Sequence, residues 1–366
     1  MRVRQFVHTI GMIVLYILLT FYIGWNGWAW LHTTFSLPYW AGYPIVLAVL
    51  SCSFWLGRFV PVFRVIGSYW FAILQYAVLL LPIADGIVFF LRLLSFSKEQ
   101  AVFWSGIVTI LAFIIIFAYG TWNAYSPIIR TYEVHIPKQV TNRTSLRIAM
   151  ASDMHFGQLS GIAHLKRLVQ HVNKMKPDII LLPGDIIDDR PTYFIKRNMG
   201  QVMKQMHAPL GIYGVLGNHE YYGGEIPVFL QEMKNIGVHI LLDEVVRIDD
   251  SFLLVGRKDK TDRNRQSFEE IMRSLDKSLP IIAMDHQPAE LKQAQAAGVD
   301  VLLSGHTHRG QMAPNHLITQ RVFELDWGFL KRDTFHAIVS SGFGFWGPPL
   351  RLGSRSEIIQ IEITFR

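Results

Sequence analysis

The chain has 366 residues, enough for two domains, and 51% of them are hydrophobic, high for a wholly soluble protein. Its net charge of +7 is unevenly spread: residues 1–130 carry seven cations (Arg2, Arg4, Arg58, Arg64, Arg92, Lys98, Arg130) against Asp85 and Glu99, and the remaining 28 cations face 26 acids. Sparse arginines beside apolar segments do not make a nucleic-acid-binding patch, and a single cysteine, Cys52, excludes an intrachain disulfide, which fits a cytosolic location.

No Asp, Glu, Lys or Arg occurs between Arg4 and Arg58. A membrane span needs about 20 apolar residues. The pattern predicts an all-α transmembrane region over residues 1–125, with four helices near 9–30, 41–57, 68–91 and 101–122, the second being short. Aromatic residues crowd the first turn-around (Trp25, Trp28, Trp30, Tyr39, Trp40, Tyr43) and follow the fourth helix (Trp122, Tyr125), as an interfacial belt would. The first helix does not read as a cleavable signal: its apolar stretch is too long, and no small-x-small site follows.

Cations beside the spans set the expected orientation. They lie at Arg2 and Arg4, in the second loop at Arg58 and Arg64, and after the fourth helix at Arg130, Lys138, Arg143 and Arg147. The first turn-around has none and the third loop only Arg92 and Lys98. This bias predicts a multi-pass cell-membrane protein with both termini and the soluble domain on the cytoplasmic side. Asp85, beside Pro82 and Gly86, reads as an acid near a helix end, and four spans with one acid read as an anchor rather than a transporter.

Residues 126–144 are polar, contain Pro127 and Pro137, and read as a linker with one strand at Tyr132–Ile136. The domain that follows, 145–366, alternates strands and helices. Apolar runs predict strands at Leu146–Ala151, Ile179–Leu182, Ile212–Leu216, Ile240–Leu242, Phe252–Val255, Ile281–Met284, Val299–Leu303, Ala337–Val339 and Ile358–Ile363. Helical spacing marks Ile162–Met175, Pro227–Ile236, Ser267–Leu275 and Ala289–Ala296. This alternation argues an α/β fold with helices covering sheets on both outer sides.

Five short motifs in this domain collect carboxylates, imidazoles and one amide: Asp153-x-His155, Gly184-Asp185-x-x-Asp188, Gly217-Asn218-His219-Glu220, His286, and Gly305-His306-Thr307-His308. Asp153, Asp185, Asn218, His286 and His306 each fall just past the end of a predicted strand, where ligands gather in open α/β sheets. Oxygen and imidazole donors suit hard or borderline divalent cations. A first ion could be held by Asp153, His155 and His308 and a second by Asn218, His286 and His306, with Asp185 bridging. In extended chain, residues i and i+2 point the same way, so Asp-x-His and His-x-His can each aim two ligands at one point. Two such ions would activate a water at neutral pH and draw charge from phosphate oxygens. His219, next to Asn218, is expected to point from the metals towards substrate as proton donor, with Asp188 holding its ring charged.

With these five blocks in order, the chain resembles the calcineurin-like metallophosphoesterases, whose signature runs D-x-H, G-D-x-x-D, G-N-H-E/D, a lone H and G-H-x-H; the likeness covers roughly residues 145–366. The resemblance implies a four-layer α/β/β/α sandwich, a pair of Mn, Fe or Zn ions, and the same roles for Asp153, His155, Asp185, Asn218, His286, His306, His308 and the His219–Asp188 pair. The segment after Gly305 and the tail Ser341–Arg351 are similar to a bacterial branch that contains membrane-associated phosphodiesterases, some acting on lipid-linked nucleotide sugars. Two departures touch phosphate-gripping positions. Asp189 follows Asp188 where protein phosphatases of the family have Arg, with Arg190 one later, and Arg309 stands where the branch usually has Gly.

The expected activity is therefore hydrolysis of a phosphodiester, pyrophosphate or phosphomonoester by a membrane-anchored dimetal enzyme, on a substrate that a lipid anchor or nucleotide sugar would suit. A catalytically inactive membrane-bound metal-binding scaffold is the alternative, and four spans regulated by the soluble part a third reading. The other nine of the 14 histidines carry no motif and read as surface or core residues. The loop with Phe343, Phe345, Trp346, Pro348 and Leu350 could pack inward, wall a substrate pocket or dip into lipid.

Overall fold

A computed structural model describes residues 2–37 and 42–366, with the side chains of residues 2–5 left aside. Tyr39, Trp40 and the expected start of the second helix at Ala41 lie outside the described residues, as do the side chains of Arg2 and Arg4. Two compact units divide the chain, Met1–Tyr119 and Gly120–Arg366.

The helices expected near the N-terminus are all longer than their apolar cores, except the second: α1 (Arg2–Phe35), α2 (Gly42–Leu56), α3 (Pro61–Leu93) and α4 (Lys98–Tyr125). Three are long and apolar enough to cross a membrane, over 30 residues in α1 (Phe6–Phe35), 33 in α3 and 28 in α4. Fifteen residues give α2 a length of about 22 Å, short of a hydrocarbon core of roughly 30 Å. Asp85 is not at a helix end but inside α3, where it accepts a hydrogen bond from the Tyr22 hydroxyl of α1.

The second unit contains β1 (Ile128–Ile136), β2 (Ser145–Met150), α5 (Ile162–Met175), β3 (Ile179–Pro183), α6 (Thr192–Lys196), α7 (Met199–Met203), β4 (Ile212–Val215), α8 (Asn218–Gly223), α9 (Ile226–Asn235) and β5 (Val238–Ile240). It continues with β6 (Glu244–Ile248), β7 (Phe252–Gly256), α10 (Phe268–Met272), β8 (Ile281–Met284), α11 (Leu291–Ala297), β9 (Val301–Ser304), a 3₁₀ turn at His308–Gly310, α12 (His316–Val322), β10 (Gly328–Arg332), β11 (Phe335–Val339) and β12 (Glu357–Phe365). The strands form two six-stranded sheets, ordered β1-β12-β2-β3-β4-β5 and β10-β11-β9-β8-β7-β6. The runs β2–β3–β4–β5 and β11–β9–β8–β7 are parallel, with antiparallel pairs β12–β2, β10–β11 and β6–β7.

Side-chain alternation sorts each central strand between two cores. On the faces between the sheets, Ile148, Leu181, Val215, Leu254, Ile282, Leu303 and Ile338 pack together. Ala149, Ile180 and Leu182 face outward onto α5, α7 and α9 through Leu165, Leu168, Val172, Met203, Phe229 and Met233. On the other outer side, Val255, Ala283 and Leu302 meet Phe268, Met272, Leu291 and Ala294 of α10 and α11. Strands buried on both faces read as continuous apolar runs, and this is the four-layer sandwich expected.

The segment expected to be a linker, 126–144, is corrected. Its centre is the nine-residue strand β1, paired in parallel with β12 from Ile128–Glu357 to Ile136–Phe365. The alternation was masked because Arg130 occupies the inward row, where its Nε meets Glu357 Oε2 at 2.6 Å. The second unit thus begins well before residue 145.

Candidate metal centre

The expected site residues come from the ends of five strands. The pairing of β2 with β3 runs on past both strands: Asp153 N–H donates to Gly184 O at 3.1 Å and His155 N–H to Asp185 O at 3.0 Å. Across the second sheet, Gly305 N–H donates to His286 O at 2.9 Å. Side chains then tie the motifs to one another. Asp185 Oδ1 accepts from His219 N–H at 2.9 Å, and Asp153 Oδ1 accepts from His306 N–H at 2.8 Å. These approaches require glycine. A Cβ on Gly217 would lie 2.1 Å from Asp185 Oδ1, and one on Gly305 would lie 2.2 Å from Asp153 Oδ2.

The convergence of the paired ligands has a different origin from the one expected. Asp153, His155, Asp185, His306 and His308 are not extended; their φ angles are 51, 44, 51, 71 and 48°. Left-handed backbone is uncommon outside glycine, although Asp and His tolerate it better than most, and it concentrates where a site over-determines the chain. The strands end abruptly in these residues, and the turn itself aims the side chains inward.

Asp153, His155 and His308 bring donor atoms within 4.8 Å of one another, and Asp185, His286 and His306 form a second such group. Asp185 lies between the two: its Oδ2 is 3.1 Å from His286 Nε2 and 3.8 Å from His155 Nε2. The Asn218 amide oxygen completes the second group, at 3.2 Å from His286 Nε2 and 2.8 Å from His306 Nδ1. All seven residues expected as ligands are therefore brought together.

Their protonation chemistry fits a cation. His286 Nδ1 lies 2.9 Å from Pro183 O, a carbonyl that can only accept, so Nδ1 carries a proton. Burial works against a charge on His286, but the Asp185 carboxylate outweighs it and raises the ring well above the usual imidazole range, so Nε2 also carries a proton, pointed at Asp185 Oδ2 and Asn218 Oδ1. The imidazolium supplies the positive charge among these oxygens, and a bound cation would take its place once Nε2 gives up its proton. At the other end, His155 Nε2 and His308 Nε2 face each other at 3.0 Å. Burial pushes His155 down to about 3 and His306 to about 4, and holds His308 well below the usual imidazole range, so these three rings are unprotonated donors. Burial works against a charge on Asp185, yet its contacts with His286, and behind that His155 and His219, hold its carboxyl well below the usual range.

His219 and its carboxylate partner depart from expectation. The His219 ring is not turned away from the ligands; it stands edge-to-face against His155 with centroids 4.6 Å apart. Its Nδ1 is 2.7 Å from Asp189 Oδ1, while Asp188 is a member of the same group within 4.8 Å. Asp189, at a left-handed turn with φ 59°, thus joins the expected Asp188 beside this ring and makes the short contact with Nδ1. Burial alone would favour a neutral His219, but the Asp189 hydrogen bond and the Asp185 charge outweigh it and raise the ring above its ordinary value.

Further groups were missed in the sequence. Buried Glu220 accepts the N–H groups of Asp185 at 3.2 Å, Ile187 at 3.0 Å and Gly217 at 2.7 Å, clasping two ligand loops. Burial, then the nearby Asp185 charge, pushes its carboxyl up to about 8. Its place as the last letter of Gly-Asn-His-Glu was the available signal. Ser152, donating to Asp153 Oδ2 at 2.5 Å, and buried Arg351, with Nη2 3.4 Å from His308 Nδ1, had none. Arg309, a candidate phosphate contact, lies over the Trp327 ring at 4.1 Å, and Arg190, mostly exposed, is 3.9 Å from Glu225.

The family model for calcineurin-like phosphoesterases matches residues 146–310. A "Transmembrane protein with metallophosphoesterase domain" of Danio rerio is 30% identical over 291 residues, covering 74% of this chain and 66% of that protein. Its namesake in Bos taurus is 31% identical over 256 residues, covering 65% and 57%. An "Uncharacterized metallophosphoesterase" of Aquifex aeolicus is 30% identical over 258 residues, covering 68% of this chain and 97% of that protein. The chain spans somewhat less than two thirds of the two vertebrate proteins and nearly all of the bacterial one. On these matches and the sandwich that carries the motifs, the chain belongs to the calcineurin-like metallophosphoesterases, metal-dependent phosphoesterases with a dinuclear metal centre.

Proposed function

We propose that this protein is a membrane-anchored phosphohydrolase that cleaves a phosphodiester or pyrophosphate with two divalent ions. One would be held by Asp153, His155 and His308 and the other by Asn218, His286 and His306, with Asp185 shared. The observation that carries the reading is the convergence of two donor groups, Asp153, His155 and His308 on one side and Asn218, His286 and His306 on the other, with Asp185 between them. When bound, such ions activate water near neutral pH and draw charge from phosphate oxygens.

The chain's own residues do the rest. His219, kept charged by Asp189, gives its proton to the oxygen that leaves. Glu220 holds the loops of Asp185 and Gly217 at a fixed separation, which sets the spacing of the shared carboxylate and the donor. A scaffold without turnover has no use for an acid held beside the ligands, so the His219–Asp189 pair favours the enzyme. The apolar helices α1, α3 and α4 would tether the domain, and the cation bias of the loops favours the cytoplasmic face, where a lipid-bearing phosphate ester is within reach.

Full-length protein in detergent, loaded with Mn²⁺, is expected to hydrolyse a bis-aryl phosphate and to stop on chelation. Lack of cleavage with Mn²⁺, Fe²⁺ and Zn²⁺ alike would overturn the enzyme reading, and unchanged cleavage by His219→Ala would overturn the role given to that ring. A reporter fused at Arg366 that is active only outside the cytoplasm would overturn the orientation.

A further inference from the structure

Two exposed aromatic rings stand around the proton donor. Tyr222, on α8 four residues after Asn218, is 66% exposed, and its ring centre is 5.6 Å from that of His219. Trp346 is 59% exposed and 6.2 Å from the same imidazole. Both rings are inclined to it, at 64 and 60°, so they rise beside it rather than cover it. His155 is also in contact with His219, at 4.6 Å between centroids and 85° between planes.

The exposure of Trp346 is specific to that residue. Along the same loop Phe343, Phe345 and Leu350 are buried, with Phe345 packed on Tyr125 at 5.1 Å between centroids. The Trp346 backbone is fixed on both sides by one buried glutamine: its N–H donates to Gln311 Oε1 at 2.9 Å, and Gln311 Nε2 donates to Trp346 O at 2.9 Å and Pro348 O at 3.1 Å. Tyr222 lies just past His219 on the same segment, and Trp346 is tied through its backbone to Gln311, just past His308. What singles out these two rings is their placement, both within about 6 Å of the same imidazole, where they offer π faces to whatever reaches it.

We propose that Tyr222 and Trp346 are the walls of a leaving-group subsite that accepts a flat aromatic group. This rests on the role given to His219: the oxygen it protonates belongs to the departing alcohol, so whatever flanks its exposed edge meets that alcohol. A π face offered to two inclined rings gains stacking and edge contacts that a saturated group of equal size cannot match. The two rings act as specificity residues, with no part in the proton transfer.

The test uses full-length, Mn²⁺-loaded protein in detergent and methyl phosphodiesters of four primary alcohols: 2-phenylethanol, 2-cyclohexylethanol, ethanol, and thymidine through its 5′ oxygen. Similar leaving-group acidity removes intrinsic reactivity as a cause, and product analysis identifies which alcohol departs. The phenylethyl ester should exceed the cyclohexylethyl ester in kcat/KM by about 10-fold or more. Trp346→Ala and Tyr222→Ala should each lower phenylethyl kcat/KM about 10-fold more than ethyl kcat/KM, while Trp346→Phe keeps the preference. The thymidine arm separates sources: a gain matching phenylethyl means any flat ring is accepted, and a larger gain means a nucleobase. Equal rates for phenylethyl and cyclohexylethyl esters, or equal losses on all esters in the alanine variants, would overturn this inference while leaving the reaction standing. No cleavage of any ester by wild type would overturn both.

Discussion

Glu220 offers a quantitative test of how the centre is held. Its carboxylate is buried and takes three backbone N–H groups, from Asp185, Ile187 and Gly217, with Asp185 and Gly217 sharing Oε2. Glu220→Gln preserves shape but turns one oxygen into a donor. If the amide oxygen takes the Oε2 place, the new NH₂ confronts the Ile187 N–H; the opposite flip confronts two donors. The better flip therefore leaves one buried N–H unsatisfied, about 1–3 kcal/mol. Glu220→Ala strands all three N–H groups in the interior, about 3–6 kcal/mol at 1–2 each. For a domain of this size each kcal/mol moves the melting midpoint by about 2–4 °C. Melting of the protein in detergent should thus fall by about 2–12 °C in Glu220→Gln and further in Glu220→Ala. Metal affinity should fall as well, by about 10-fold or more, because the loops of Asp185 and Asn218 lose their common tether. An alanine variant that melts within 1 °C of wild type and binds metal normally would refute the reasoning.

Three other outcomes are expected. His219→Ala should lower turnover by about 10²–10⁴-fold with metal content unchanged, checked by steady-state kinetics beside elemental analysis. Asp189→Asn should reduce turnover more than Asp188→Asn, since it is Asp189 that meets His219 Nδ1; equal or inverted losses would return the orienting role to Asp188. His164 should make the domain acid-sensitive. Its ring is buried, donates from Nε2 to Phe343 O at 3.1 Å, and burial pushes it down to about 4. The unfolded state then binds the proton more readily, so stability is full above about pH 6.5 and is lost as pH falls towards 4, by about 3 kcal/mol in total. Melting between pH 7 and 4.5 should fall more steeply in wild type than in His164→Gln.

Much of the centre could be read from the chain because strand ends and ligands coincide. Asp153, Asp185, Asn218, His286 and His306 follow β2, β3, β4, β8 and β9 within three residues, and runs such as Ile179–Pro183 and Ile281–Met284 are buried on both faces, so their signal is strong. β1, β6 and β10 were harder: each is partly exposed, and the charged Arg130 or Arg247 interrupts the apolar pattern. The Asp188–Asp189 choice turns on a single left-handed residue, which spacing does not encode. Glu220 and Arg351 act through backbone groups and a ligand from buried positions that depend on the folded arrangement, so their roles emerge only from contacts between distant segments. The loop around Trp346 was open to three readings; burial of Phe343, Phe345 and Leu350 sends most of it inward and leaves one ring outside.

The most direct measurement is anomalous scattering from crystals of the metal-loaded protein, with elemental analysis of wild type and Asp185→Asn. Two ions per chain are expected, one on each side of Asp185, among His155 and His308 and among Asn218, His286 and His306, with Asp185→Asn losing at least one. Ions bound elsewhere, or a wild-type chain that retains none while folded, would contradict a dimetal centre at these residues.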